Sequence, residues 1–359
     1  FHEYKTHNYL KNALENMGYK VEVVLETGLL VFIDNHQAST IAFRSDIDAL
    51  PTTEENDISF KSTHEGRMHA CGHDGHMSML LGFANYLKDK KHQLKKNVLL
   101  VFQPAEESIG GAKLIVETGV FKKHHVEAIF GIHLFPDLEE GIVASKANEF
   151  MAMANEVNIT VHGKSSHGAM PQFGVDANLI LSKLLIDFQN IQTRMISPLE
   201  YTIITFGKIE GGAVRNTISD YARMEGTIRT FNTKTFDFIT KTIKSITRGY
   251  ENMFNCQIEV DVRPGYLPVI NDPKLYETFK EALSEYSFYE FDKPLMIAED
   301  FSFYQRAVPG IFYYIGTRNE QDGFIHSLHS SKFNFNITAL ETGLRTYITL
   351  SKKLGVLDE

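Results

Sequence analysis

Residues 97–134 read NVLLVFQPAEESIGGAKLIVETGVFKKHHVEAIFGIHL. Two short apolar runs, NVLLVFQP and VEAIFGIHL, have the length and branching of buried strands. Between them GGAKLIVETG has helical spacing and is closed by Gly119. The pattern continues upstream, where VEVVLE, LLVFI and TIAFRSD read as strands and HMSMLLGFANYL as a helix starting near Gly75. Such alternation implies a sheet covered by helices on both faces, an α/β architecture.

A different order begins near residue 150. NEVNITVHG, YTIITFGKIEGG, DYARMEGTIRTF and CQIEVDVR read as strands, with helices over GVDANLILSKLLIDFQNIQTR and KTFDFITKTIKSITRGYENMF. The resulting βαββαβ order is that of a ferredoxin-like α+β domain, an antiparallel sheet with two helices on one face. From Gly265 onward helix and strand alternate again in DPKLYETFKEALSEY, IFYYIG and ITALETGLRTYITLSKKL. The expected organisation is an α/β domain in two segments, 1–147 and 266–359, interrupted by an inserted domain over 148–265.

With 359 residues the chain exceeds the size at which one core stops growing. Its 43% hydrophobic and 23% charged residues are those of a globular protein with ample core. A net charge of −9 without a Lys/Arg block argues against nucleic acid or an anionic membrane as partner, leaving a small molecule. Two cysteines, Cys71 and Cys256, make no disulfide framework, so a reducing, cytoplasmic setting is expected. No apolar run approaches the ~18 residues of a membrane span. The opening FHEYKTHNYLKNALENMGYK reads as an amphipathic helix without an initiator Met, and the chain is expected to begin partway through its gene product.

Chemistry concentrates in His69–His76, HACGHDGH, with three histidines, an aspartate and one of the two cysteines. Cys71 and His73 stand two apart before a helix, Glu106 and Glu107 follow one buried strand, and His133 ends another. Asp46 and Asp48 lie at the end of TIAFRSD. Singly each has a plain structural explanation: a strand-end His is usually hydrogen-bonded, a Glu pair usually opens a helix, and a buried Cys is usually a small hydrophobe. Several strand ends all carrying ligand-type groups, where α/β sheets bind ligands, point instead to a metal site.

The motifs FRSDIDALP, MHACGHDGH, FQPAEE, GIHLFP, HGKSSHGAMPQ, INDP, EDFSFY and SLHSSKFNFN occur in an order that resembles the amidohydrolase branch of the aminoacylase and carboxypeptidase-like metallopeptidases. That branch includes hippurate hydrolases, auxin-conjugate hydrolases and N-acetyldiaminopimelate deacetylases. The resemblance spans the whole chain. It implies a mixed-sheet α/β metallopeptidase-like domain with an inserted lid, and two divalent ions per subunit, Zn, Mn, Co or Ni.

By motif, the implied ligands are Cys71, His73, Glu107, His133 and His329, with Glu106 as general base. The family usually continues the last motif as NP, where this chain has Ser330 and Ser331. The wider superfamily uses a metal-binding His where this chain has Arg44, so the CGHD cluster takes over that role. Asp46 and Asp74 are implied to hold the ligand imidazoles. His167 matches an oxyanion-binding lid residue, Asn216 a second substrate-contacting lid residue, and Glu299 a motif near the C-terminal ligand.

The implied reaction is hydrolysis of the amide bond of an N-acyl amino acid. Glu106 takes a proton from water and returns it to the leaving nitrogen. Alternatives are a dipeptidase or aminopeptidase of the same superfamily and a nonenzymatic binding protein on this fold. A homodimer through the inserted domain is expected, because an exposed sheet edge is often covered by a second copy.

Overall fold

The computed structural model describes residues 1–358, which divide into two compact units. The first comprises Phe1–Phe150, Val269–Pro294 and Asp300–Glu359; the second comprises Met151–Pro268 and Leu295–Glu299.

The chain opens with α1 (Tyr4–Asn16), the strands β1 (Val21–Val24), β2 (Gly28–Ile33) and β3 (Thr40–Asp46), and α2 (His73–Leu87). Next come β4 (Asn97–Gln103), α3 (Gly111–Glu117), α4 (Val120–Lys123), β5 (Val126–Glu139), β6 (Val143–Ser145) and β7 (Asn148–Met151). The second unit holds β8 (Met153–His162), β9 (Ser166–His167), α5 (Ala177–Asn190), β10 (Thr202–Gly211), β11 (Thr217–Ile218), β12 (Tyr221–Thr230), α6 (Thr233–Phe254) and β13 (Gln257–Tyr266). The chain ends with β14 (Val269–Asn271), α7 (Pro273–Ala282), β15 (Phe288–Glu290), α8 (Tyr304–Ala307), β16 (Gly310–Arg318) and α9 (Thr338–Lys353).

The first unit is built on a mixed sheet in the order β1-β2-β4-β3-β5-β16-β6-β15. Its centre is parallel: β3 pairs with β4 and β5, and β5 with β16. Every residue of β3 and β4 is buried, as strands covered on both faces require. Phe43 packs against Phe83 of α2 and Tyr347 of α9. Truncating such a ring to Ala typically costs ~3–5 kcal/mol. Arg44, one residue on, points to the opposite face.

Register then aligns the carboxyl ends of the strands. Asp46 lies beside Gln103, Arg44 beside Gly131, and His133 beside Tyr314. His133 does not end its strand, since β5 continues to Glu139. Pairing with β16 carries it on, and only its pairing with β3 stops at Gly131.

The helix α2 begins at His73, two residues earlier than its apolar pattern indicates. Gly72 makes the turn into it at φ 81°, a backbone that side chains rarely adopt. At Gly75 a Cβ would come within 2.6 Å of Leu134 Cδ1 and 2.8 Å of Phe335 Cζ. That glycine lets the helix start lie close on β5.

The second unit has a four-stranded antiparallel sheet, β10-β12-β8-β13, with β10 and β13 at its edges. Val157, Ile159 and Val161 of β8 and Ala222, Met224 and Ile228 of β12 form one core with Ile180, Leu184 and Phe188 of α5 and Ile239 and Ile243 of α6. Asp176 and Asn232 cap α5 and α6 by accepting the N–H groups of Leu179 and Lys234. Leu295–Glu299 returns to this unit, where the Ala152 N–H donates to the carbonyls of Leu295 and Ile297 at 3.0 Å each.

Candidate metal centre

Four loops and strand ends of the first unit converge. Cys71 precedes the Gly72 turn and His73 opens α2. Beyond β4, Ala105 sits at φ 58° and delivers Glu106 and Glu107. His329 also has a positive φ, 65°, and its N–H donates to the Ala70 carbonyl at 2.8 Å, beside Cys71. Each of these left-handed non-glycine residues costs about 1–2 kcal/mol. Ser330 and Ser331 keep the turn after His329 closed: the Ser330 N–H donates to the Ser327 carbonyl, and Ser331 hydrogen-bonds Glu55 through its hydroxyl at 2.7 Å.

Donor atoms here gather into several groups, each with its atoms within 4.8 Å of one another, among them Cys71 with His73 and His133, Cys71 with Glu107 and His329, and His73 with Glu106 and Glu107. Cys71 Sγ lies 3.4 Å from His133 Nε2, and Glu107 Oε1 lies 3.3 Å from His329 Nε2 and 3.8 Å from His73 Nε2. Cys71, His73, Glu106 and His133 are buried. The His329 side chain is 56% exposed and marks the open side.

Several polar atoms at this point lack the hydrogen bonds that burial demands. Among the described residues, both ring nitrogens of His73, Glu107 Oε1 and Asp48 Oδ1 are buried without a hydrogen-bond partner. Asp48 Oδ1 does lie 3.3 Å from His73 Nδ1, near enough to orient the ring but out of alignment for a bond. A thiol, imidazoles and a carboxylate with open lone pairs form a donor set suited to zinc or another late transition metal.

The electrostatics express the same shortage of positive charge. Burial works against a charged His73, yet Asp46, Asp48 and Glu107 outweigh it and push the imidazole up to about 10. Burial, with Glu107 and Glu106 beside it, drives the Cys71 thiol well above its ordinary range. The Glu107 carboxylate raises His329. Burial and His76 hold His133 far below the imidazole range. A cation bound among these groups reverses the pressures on Cys71 and His73, because it repels their protons.

The residues expected to hold the imidazoles divide. Asp46 is fully buried, and its Oδ1 accepts from His76 Nδ1 at 2.6 Å. Asp74 holds no imidazole; it is exposed, and its carboxylate accepts the Gly75 N–H at 2.9 Å. Following His73 directly on a helix, it points about 100° away from that ring. Asp48, at the end of β3, takes the place beside His73 instead.

His76 and Arg44 join the site without having been expected in it, although both carry a signal in the sequence. His76 stands three residues after His73, on the same helix face. Arg44 is a charge inside an otherwise buried strand, which demands a buried partner.

The remaining candidates belong to the second unit. His167 pairs with Thr217 across β9 and β11, and the Gly168 N–H donates to the Asn216 carbonyl at 2.7 Å, so His167 and Asn216 lie side by side and exposed. The Ala169 N–H donates to His167 Nδ1 at 3.1 Å, which leaves Nε2 to carry the proton of the neutral ring. Glu299 is buried at the end of the returning segment.

Comparison with known proteins shows the family. An uncharacterized hydrolase of Staphylococcus saprophyticus is 37% identical over 343 residues, covering 94% of this chain and 89% of its own. One from Staphylococcus aureus is 38% identical over 354 residues, 97% of this chain and 92% of its own. A crystal structure from methicillin-resistant Staphylococcus aureus, named a candidate aminohydrolase, is 30% identical with a TM-score of 0.90, covering 98% of this chain and 91% of that one. The Bacillus subtilis YXEP protein, described as a dinuclear metal binding peptidase, is 29% identical with a TM-score of 0.84 over 99% of this chain and 93% of that one. The family model for peptidase family M20/M25/M40 matches residues 42–353, from the middle of β3 to the end of α9, and the chain is a hydrolase of that family.

Proposed function

We propose that this chain is a dinuclear metal-dependent amidohydrolase that removes the acyl group from N-acylated amino acids. The observation that carries the reading is the position of Cys71, shared between a group with His73 and His133 and a group with Glu107 and His329, next to buried Glu106. Two adjoining donor sets with one common thiol suit a pair of ions, Zn, Mn, Co or Ni, and the description of the Bacillus subtilis relative as dinuclear supports the number. Bound divalent ions supply Lewis acidity and lower the pKa of water.

The chain's own groups do the rest. Glu106 removes a proton from the attacking water as its oxygen bonds to the acyl carbon. The carbon–nitrogen bond then breaks, and Glu106 gives that proton to the departing nitrogen, so the products are a carboxylate and an amine. His167, with its proton on Nε2, donates to the carbonyl oxygen as negative charge develops there. Asn216 and Glu299 contact the substrate in this reading. A homodimer through the second unit and a cytoplasmic location, the latter expected from the two cysteines, complete it. Among the described residues no helix is long and apolar enough to cross a membrane.

Peptide cleavage is the competing activity, favoured by the description of the Bacillus subtilis protein as a peptidase. Zinc-, manganese- and cobalt-loaded protein is assayed against N-acetyl and N-benzoyl amino acids and dipeptides. Faster turnover of the acylated amino acids supports the proposal, and hydrolysis of dipeptides alone refutes it.

A further inference from the structure

His76 lies amid the candidate ligands, its ring 5.3 Å from that of His73 and 4.4 Å from that of His133, and it is buried. Asp46, His73 and His76 even gather donor atoms within 4.8 Å. Yet neither nitrogen of His76 is open. Its Nδ1 lies 2.6 Å from Asp46 Oδ1, and with the other ring nitrogen used as an acceptor the proton of the imidazole stands on Nδ1 and is donated to that carboxylate. Nε2 must be bare, because it accepts the Leu134 N–H at 2.9 Å. The other oxygen of Asp46 already faces a cation, the Arg44 guanidinium, at 2.8 Å.

The bonds continue in one direction. Leu134 donates its N–H to His76, while its carbonyl accepts from His133 Nδ1 at 2.6 Å. That bond fixes the proton of His133 on Nδ1 and leaves Nε2 with a lone pair, 3.4 Å from Cys71 Sγ. At the far end Arg44 is held from three sides: it donates to Asp46, to Asp300 Oδ1 at 2.9 Å and to Gln103 Oε1 at 2.8 Å. Asp300 is anchored in turn by Gln103 Nε2 at 2.7 Å and the Ala112 N–H at 3.0 Å.

We propose that His76 is a positioning residue and not a metal ligand: it links the buried Arg44–Asp46 pair to the Leu134 peptide and thereby sets the tautomer and aim of His133. The proposal goes beyond the functional reading but rests on it in taking His133 as a ligand. Partners of this kind typically change metal affinity by 10–100-fold when removed.

The test uses zinc alone as probe, with the full chain labelled with nitrogen-15 at histidine and His76→Gln used to identify the His76 ring signals. In the unmutated chain His76 shows a protonated Nδ1 and a bare Nε2, and neither signal moves when zinc is added. Calorimetry and elemental analysis of His76→Leu find as many zinc ions at saturation as in the unmutated chain, one of them bound about 10–100-fold more weakly. His76→Gln recovers part of that loss, since its amide oxygen can accept the Leu134 N–H. A shift of His76 Nε2 on zinc addition, one fewer zinc at saturation, or undiminished affinity in His76→Leu overturns the proposal. An unmutated chain that binds no zinc instead rejects zinc as an occupant of the proposed centre, and the ring signals of the metal-free protein then decide the tautomer. If His76→Leu does not fold, the signals of the unmutated chain carry the test.

Discussion

Replacing Arg44 by Met removes a fully buried cation and leaves its neighbours in place. The guanidinium donates to Asp46 and Asp300 and, through Nε, to Gln103, all at 2.8–2.9 Å. Hydrogen bonds to charged partners contribute about 1.5–3 kcal/mol each, and removing one partner of a buried pair costs about 3–5 kcal/mol because the other charge cannot regain water. Here two carboxylates are stranded by one substitution, so a loss of about 4–5 kcal/mol is expected at neutral pH. Arg44→Lys keeps the charge but not the planar fork, and about 2–3 kcal/mol is expected for it. The assay is urea unfolding of metal-free protein, with midpoint and slope compared between variants. Acidity supplies a check on the sign. Burial opposes ionisation of Asp46, but His73, Arg44 and His76 outweigh it and hold its pKa well below the usual carboxylate value. The stability that this ionised group contributes is present above the ordinary carboxylate range and is lost as the pH falls through the depressed value. The gap between Arg44→Met and the unmutated chain is therefore widest near neutral pH and narrows on acidification. A Met variant within ~1 kcal/mol of the unmutated chain at pH 7, or a gap that widens in acid, refutes the reasoning.

Other expectations follow from the same site. Glu106→Gln should still bind metal yet lose about 10²–10⁴-fold in kcat, whereas Glu107→Gln should lower metal content in elemental analysis; the opposite pattern exchanges base and ligand. Prolonged chelation should abolish hydrolysis and zinc, manganese or cobalt restore it, and full activity in protein shown to be metal-free removes the metal from the mechanism. Because its thiol is raised in the metal-free chain, Cys71 should react with iodoacetamide after chelation faster as the pH is increased, and stay shielded in metal-loaded protein over the same range; equal rates in the two forms at alkaline pH would make it a plain buried thiol. His73 is pushed up to about 10 and the Cys71 thiol is also raised, so both are protonated in the metal-free chain at pH 8. Zinc binding should then release about two protons, and calorimetry in buffers of different ionisation enthalpy that finds none contradicts the ligand assignment.

The strand–helix–strand run at 97–134 was legible because β4 and β5 are buried on both faces and therefore apolar without interruption. The βαββαβ order of the second unit was equally plain, since α5 and α6 each lay one apolar stripe on its sheet. The strands that the sequence does not reveal have only two to four residues, such as β9 and β11 beside His167. Their pairing comes from the partner rather than from any pattern of their own. Among the site residues, Glu106, Glu107 and His133 could be found from strand position, but His329 could not. It is separated from Cys71 by more than 250 residues and identified only by the motif order of a known family. Asp74 misled because adjacency in sequence is not adjacency on a helix. Asp48, just beyond Asp46 at the same strand end, is the carboxylate that lies beside the His73 ring, at 3.3 Å.

The charge carried by this centre explains why Arg44 and Cys71 belong to one arrangement. The first unit carries the carboxylates of Asp46, Asp48, Glu106, Glu107 and Asp300 in or beside this centre, and one buried guanidinium, that of Arg44, which pairs with Asp46 and Asp300. Burying such an excess without cations is costly, and in the absence of metal it pushes both the His73 imidazole and the Cys71 thiol toward their protonated forms. Arg44 offsets one carboxylate, and two divalent ions, in the proposed reading, would offset most of the remaining negative charge, that of a Cys71 thiolate included, and displace those protons. An imidazole at position 44 adds a ligand but removes the permanent cation. With Arg44 there instead, the proposed reading takes a ligand from Cys71, which belongs to both donor groups. Arg44→His should accordingly not create a better metal site: it strands Asp300, weakens the Asp46–His76–Leu134 connection and lowers zinc affinity. Measured zinc affinity equal to or above that of the unmutated chain would show that the guanidinium and the thiol are independent features.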